Sequence, residues 1–545
     1  MNDDLMTDEQ REAVFVLAET LIPEHPGAPS ADQAGLSAQF LDEFFELRDD
    51  LLPAFLDIVD RADLEDPRGF CDRLQTDEPA AFNTLTFVIA GAYLLSPKAR
   101  AWLNYGGQVG EAQDSSSQPE YAPGGILDQV RERGPIYRAT PCAALPLAGV
   151  RVLELGNYIA APTAGRLLAD FGAEVIKIER PGTGDELRNW RLHGGTTSML
   201  FRAINRNKKS VTADLRTEAG RRLVLGLVAR SDALIENFRP GTLDRWGLDS
   251  ATLAEANPDL IIARVSAFGQ TGPLSSRPGF AAVAEAYGGL RDLVGDPDRP
   301  PSRVGVSIGD SIAGLYAAFG VVMALYQRET ALRAGQTPPG PADQQIDVAL
   351  HEAVFSMMES LVPDHSAHGV IRQRVGGRVE GIAPSNAYLC SDGSSVVIAG
   401  NGDSIFRRYM AAIGRPDLAV HPELATNAQR WLQREKLDEA ISAWTECHTQ
   451  AEILSVLETA GVPAGPILTA ADIAENDHYA ARRMIQTLPV DTGHGVRPVR
   501  FPGIVPLLRE TSIAVRNVGP DLGEHTRQVL VDVLGMTDAE AEDWA

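Results

Sequence analysis

Among the side chains of this sequence, Asp310 has the type and setting that best suit covalent chemistry. It sits in the run Val306-Ser307-Ile308-Gly309-Asp310-Ser311. Immediately after it, Ile312, Leu315, Phe319, Val322 and Leu325 fall on one face of a long helix running toward Arg328. Unpaired N–H groups at a helix start hold a carboxylate as the anion. Such a carboxylate can attack an activated carbonyl, and N–H groups of nearby glycines can hold the resulting oxyanion. Aspartate is also a favoured N-cap, and position alone reads as a cap. A second candidate is Arg180, directly after the acidic Glu179. A cation there suits an anionic ligand better than a ribose diol.

The elements that must position these residues begin between Leu147 and Trp190. Val150, Val152, Leu153 and Leu155 suit a buried strand, and Ala160, Ala164, Leu167, Leu168 and Phe171 follow at helical spacing. Gly172 can end that helix, and Val175, Ile176 and Ile178 make a second strand. Strand, helix and strand at this spacing form a parallel βαβ unit. A dinucleotide site is argued against, because Tyr158 stands where the fingerprint needs its second glycine for the approach of a pyrophosphate. Further strands at Ala233-Leu234-Ile235 and Leu260 to Val265 alternate with helices. The expected fold is therefore α/β, a doubly wound parallel sheet binding its ligand beyond the carboxyl ends of the strands. Arg180, Asn237 and Phe268 lie just past such ends.

At this point the chain resembles the family III CoA-transferases (the formyl-CoA transferase, CaiB and BaiF group). The likeness rests on the opening stretch, then on Asn205-Arg206-Asn207-Lys208-Lys209-Ser210, Glu236-Asn237-Phe238-Arg239-Pro240-Gly241, Ser266 to Pro273, and Gly309-Asp310. It runs from about Leu147 to the C-terminus. The resemblance implies that Asp310 is the nucleophile and that CoA moves between an acyl-CoA and a carboxylic acid through an aspartyl-CoA thioester. Coenzyme A is then substrate and carrier, with no permanently bound cofactor and no metal. It further implies that Tyr158, Ile159 and Ala160 line the pantetheine path. Arg180, Ala213, Arg216, Asn237, Phe238 and Arg245 align with CoA contacts, Arg180 and Arg245 serving the nucleotide end and Asn237 the pantetheine amides. Trp190 aligns with a residue of the acyl pocket, with core packing as its plain alternative, and Phe280 falls in the same pocket. The departure is Ala281, where the family usually has an acidic residue. Phe280 aligns with the histidine that α-methylacyl-CoA racemases pair with the aspartate, and a phenyl ring exchanges no proton. A racemase and a non-catalytic acyl-CoA or partner-binding protein are the other two readings. Lys208 and Lys209 read as CoA contacts or as a solvated turn.

The rest of the chain bounds these readings. Residues 1–108 read as an all-helical module, with Thr7-Asp8-Glu9-Gln10 starting a helix through Leu21. Phe40, Phe44, Phe45 and Leu47 line a second helix, Leu52 to Val59 a third and Phe82 to Leu95 a fourth. Leu21-Ile22-Pro23, Pro26-Gly27-Ala28 and Tyr105-Gly106-Gly107-Gln108 resemble the small subunit of gluconate 2-dehydrogenase-type oxidoreductases, which would make an oxidoreductase a partner; a helical docking or dimer-extension module is the plainer reading. Residues 109–146 read as a linker, 147–374 as the large domain, 375–475 as a smaller α+β domain, and 476–545 as a return to the large domain. A net charge of -25 argues against a nucleic-acid surface. No run reads as long enough to cross a bilayer and no leader is evident, so a cytoplasmic protein is expected. Four cysteines, Cys71, Cys142, Cys390 and Cys447, are scattered without metal-ligand spacing. The family resemblance implies an interlocked homodimer.

Overall fold

The computed structural model describes residues 6–23, 29–48, 51–99, 145–341, 345–508 and 513–544. The chain divides into two compact units, Met1–Arg138 and Ala139–Ala545. The linker reading over 109–146 lies outside the described residues apart from Leu145 and Pro146, as do Pro26-Gly27-Ala28, Tyr105 to Gln108 and Cys142.

The first unit is helical. Its opening helix, Asp8–Leu21, starts as the sequence indicates: Gln10 N–H donates to Thr7 Oγ1 (3.2 Å) and Thr7 N–H donates to Gln10 Oε1 (2.9 Å). Helices Ala38–Leu47, Leu52–Asp60 and Pro79–Leu95 fall where the apolar spacing places them. Leu17, Leu41, Phe45, Phe55 and Val88 join in one core. A further helix, Pro67–Asp77, was not expected. Its only core residues are Phe70, Cys71 and Leu74, too few to show a period in eleven polar-rich residues.

The second unit is built on a six-stranded parallel sheet. Its strands in chain order are β1 (Arg151–Glu154), β2 (Glu174–Glu179), β3 (Lys208–Thr212), β4 (Ala233–Glu236), β5 (Ile261–Ser266) and β6 (Gln345–Ala349). In space they run β3-β2-β1-β4-β5-β6, every pair parallel. Successive residues face opposite sides, as a strand requires. Val152, Val175, Ala233 and Ile261 join a core with helices Ala160–Asp170 and Ile308–Arg333. Leu153, Ile176, Leu234 and Ile262 join one with helices Glu218–Val228 and Thr526–Asp532. Both faces are covered, which gives the doubly wound α/β fold.

Strand β3 corrects the reading of Lys208 and Lys209 as a turn or as CoA contacts. The sequence Lys-Lys-Ser-Val-Thr has no apolar alternation, yet Lys208 is fully buried and Lys209 pairs with Glu174 at 2.7 Å. The lysines take the strand because their charges meet carboxylates from β1 and β2. The long helix also departs from expectation. It starts at Ile308, so Asp310 lies inside its first turn, and by length and composition alone it could cross a bilayer. A core helix meets the same criterion, and Ala313, Ala317, Val321 and Ala324 are buried in the sheet core.

Beyond the sheet, strands Ser385–Leu389, Ser395–Ala399 and Ala464–Pro466 form a small antiparallel sheet with helices Asp403–Ala412 and Arg434–Thr445. A hairpin, Ile485–Asp491 with Val496–Pro502, precedes the final helices. The tail returns to β3, where His525 N–H donates to Ser210 O (3.0 Å).

Candidate active site

The strand order reverses direction between β1 and β4, and the crevice beyond their carboxyl ends is where such sheets bind ligands. The two loops there are tied to each other. Asn157 N–H donates to Asn237 Oδ1 and Asn237 Nδ2 donates to Asn157 O, both at 2.8 Å. Asn237 therefore positions the β1 loop as well as facing the crevice. Gly156 sits where helix Ala160–Asp170 packs closely on the strand: a Cβ there would fall 2.4 Å from the Ala161 Cβ.

Tyr158 occupies the position that the fingerprint would give to glycine, and it has glycine-like backbone, with φ of 64°. This conformation is uncommon for a side chain with a Cβ and marks local strain. Asp185 holds it: Asp185 Oδ1 accepts from Tyr158 N–H (3.0 Å) and Leu187 N–H (2.9 Å). The Tyr158 ring then lies 5.4 Å from Trp190 and 5.8 Å, edge-on, from Phe280. Trp190 is thus an aromatic wall of the crevice and not a core residue.

Beneath this turn is a buried charged network. Lys177 lies 3.0 Å from Glu154 Oε1 and 2.9 Å from Asp185 Oδ2, and Lys208 lies 2.7 Å from Glu154 Oε2. All four side chains are fully buried. Two lysines against two carboxylates leave no net charge, which such burial requires. Burial pushes the Lys208 amine down to about 8 despite its carboxylate partner, whereas Asp185 and Glu154 together hold Lys177 above its ordinary value. Glu179, at the end of β2, accepts from Arg188 Nε (2.7 Å), Arg188 Nη2 (2.6 Å) and Ser210 Oγ (2.6 Å). It has no capacity left for a ribose diol, which removes the dinucleotide reading from a second direction.

Asp310 reaches the crevice from the other side. The helix crosses Ala160–Asp170 so tightly that a Cβ on Gly314 would meet Ala160 O at 2.6 Å. The N-cap position belongs to Ser307, so Asp310 is not the cap. Among the described residues none donates a hydrogen bond to its carboxylate. Burial raises the Asp310 pKa to about 6; Arg303 opposes the shift and Glu285 adds to it. Desolvation outweighs the helix N-terminus here. The result is a carboxylate ionised at neutral pH and more basic than usual.

One cavity of about 660 Å³ gathers Tyr158, Ile159, Ala160, Trp190, Asn237, Phe238, Phe280 and Asp310. Ala281 also lines it, close beside Gly309, with no acidic group at that point. A second cavity, about 80 Å³, is lined by Arg180, Ala213, Arg216 and Phe238. Asn157 and Phe238 line both. Arg216 is already engaged by Asp214 at 2.9 and 2.7 Å, which holds that carboxyl down at about 2. Arg245 lines neither cavity and donates to Thr242 Oγ1 (3.0 Å). Sequence reasoning missed Asp185, Lys177, Glu154, Glu285 and Arg303. A signal for two of them existed: Glu154 and Lys177 interrupt otherwise apolar strands, where a charge must be partnered.

The profile of CoA-transferase family III matches residues 147–526. A succinyl-CoA–D-citramalate CoA-transferase of Chloroflexus aurantiacus is 45% identical over 396 residues, covering 72% of this chain and 95% of that one. The beta subunit of a succinyl-CoA–L-malate CoA-transferase from the same organism is 39% identical over 404 residues, covering 73% of this chain and 96% of that one. The crystal structure of a CaiB/BaiF family protein from Brucella suis superposes with a TM-score of 0.62 at 34% identity, covering 72% of this chain and all of that one. With a matching profile over most of its length and relatives matched nearly end to end, the chain belongs to CoA-transferase family III.

Proposed function

We propose that this enzyme moves CoA between an acyl-CoA and a carboxylic acid through Asp310. The observation that carries the reading is the placement of the Asp310 carboxylate, open to the larger cavity and bonded to no donor among the described residues; burial, which raises its pKa to about 6, makes it a better nucleophile. One Oδ attacks the thioester carbonyl, expelling CoA thiolate and leaving an acyl-aspartyl anhydride. The thiolate attacks the aspartyl carbonyl of that anhydride, releasing the first acid and storing CoA as an aspartyl thioester. The acceptor carboxylate attacks this thioester, expelling the thiolate again and forming a second anhydride. The thiolate then attacks the new acyl carbonyl and frees Asp310. No proton is gained or lost across the cycle, so Ala281 need not supply an acid.

The two cavities meeting at Asn157 and Phe238 support a CoA path, with Arg180 and Arg216 toward the nucleotide and Tyr158 to Ala160 toward the thioester. Phe280 presents no exchangeable proton to the cavity, which favours transfer over α-proton exchange. The test is a transfer assay with succinyl-CoA and a panel of acids, reading new acyl-CoA by chromatography. Wild type should form product and D310N none; product formation by D310N would refute the role of Asp310.

The same reading includes a cytoplasmic homodimer. Leu315, Phe319, Val322, Met323 and Tyr326 form an exposed apolar stripe along the outer face of the long helix, and a second copy is the partner proposed for it. A monomer mass by light scattering would refute this. The helical N-terminal unit, with its likeness to an oxidoreductase subunit, is proposed to recruit an oxidoreductase. Deleting it without changing activity or complexes would remove that role.

A further inference from the structure

The walls of the larger cavity are unbalanced in charge. Among the described residues they carry four arginines, Arg191, Arg239, Arg277 and Arg303, and one carboxylate, Asp310. A reacting carboxylate alone needs no such excess, because it meets Asp310 as a neutral thioester. Of the four, Arg303 is the one whose charge acts on Asp310. It is also the one braced by a buried acid. Its Nε lies 3.7 Å from Glu285 Oε1, and Glu285 is 1% exposed. Glu285 is held from the other side by Arg291, whose Nη2 donates to Oε2 at 3.1 Å. Glu285 Oε1 is buried with no hydrogen-bond partner among the described residues. At 3.7 Å the pair with Arg303 is ionic and consumes no donor, so the Nη fork remains available for a planar, bidentate acceptor.

Resting on the CoA-transfer reading, we propose that Arg303, braced by Glu285, binds the second carboxylate of the acid, and that the enzyme's acids are therefore dicarboxylates. The bound acid places one carboxylate at the aspartyl carbonyl and the other on the Arg303 fork. A monocarboxylate of the same length fills the space but leaves the guanidinium unpaired, and sites built around a charged partner reject analogues that lack it.

The test compares glutarate with valerate as acceptors from succinyl-CoA. Wild type should favour glutarate in kcat/KM, and R303Q should collapse the glutarate-to-valerate ratio by about 100-fold, the scale of a charge-assisted pair. R303K, which keeps the charge but loses the fork, should fall between the two. The loss should lie mainly in KM for glutarate, with affinity for CoA held. Calorimetry on CoA-saturated D310N, whose neutral amide stands in for the thioester, gives a readout without turnover: glutarate should bind D310N, and the D310N/R303Q double variant should lose that binding. A wild-type ratio near one, a ratio unmoved by R303Q, or a collapse produced by R277Q instead would overturn the assignment. Should no donor support transfer while glutarate binding still depends on Arg303, the transfer reading falls and the carboxylate site stands.

Discussion

Replacing Asp310 by asparagine should make the protein more stable while abolishing transfer. The carboxyl is raised from 3.8 to about 6 on folding, chiefly by burial. An acid whose folded pKa exceeds its unfolded value binds more protons folded than unfolded between the two. Stability therefore falls as pH rises through that interval, and the loss is complete above about pH 6. A shift of about two units corresponds to about 3 kcal/mol at pH 8. At pH 5.5 the same expression leaves about 2 kcal/mol, because much of the folded-state carboxyl is protonated. D310N keeps the shape and removes the charge, so it should exceed wild type by about these amounts. Urea unfolding of both proteins from pH 5.5 to pH 8, followed by circular dichroism, measures the gap. A D310N protein no more stable than wild type, or a gap that widens as pH falls, would refute the reasoning. The same ionisation should impose an acid limb near pH 6 on kcat/KM for acyl-CoA, since only the anion is a nucleophile.

The remaining expectations concern the supports of the site. Lys208→Met leaves buried Glu154 with one lysine in place of two and should lower unfolding stability by about 3–5 kcal/mol, read by urea titration. Asn237→Ala removes both hydrogen bonds joining the β1 and β4 loops and should lower kcat/KM for acyl-CoA about 10- to 100-fold in steady-state assays. Gly314→Ala drives a Cβ toward Ala160 O, displacing the helix that carries Asp310; kcat should drop about 10- to 100-fold with CoA affinity held, as titration calorimetry would show.

The sheet was legible wherever strands are buried on both faces, because Val152-Leu153 and Ile261-Ile262 read as continuous apolar runs. Strand β3 was not, because ion pairs with Glu154 and Glu174 stabilise it in place of apolar side chains, and such partners lie far away in sequence. Helix Pro67–Asp77 hid for a related reason, with only Phe70, Cys71 and Leu74 in the core. Asp310 could be singled out by its run and by resemblance. Its setting could not, since the burial, Arg303 and Glu285 come from three segments brought together by the fold. The left-handed backbone of Tyr158 was equally out of reach: the sequence shows a bulky residue after Gly156-Asn157, and Asp185 supplies the hydrogen bond that holds it.

The central claim is that CoA resides covalently on Asp310 between donor and acceptor. Intact mass of the full chain after incubation with succinyl-CoA, without acceptor, tests it most directly. The account predicts a CoA-sized adduct on wild type, removed by hydroxylamine, absent from D310N and mapped to the peptide carrying Asp310. Turnover with no adduct at any time, or an adduct that persists in D310N, would contradict it.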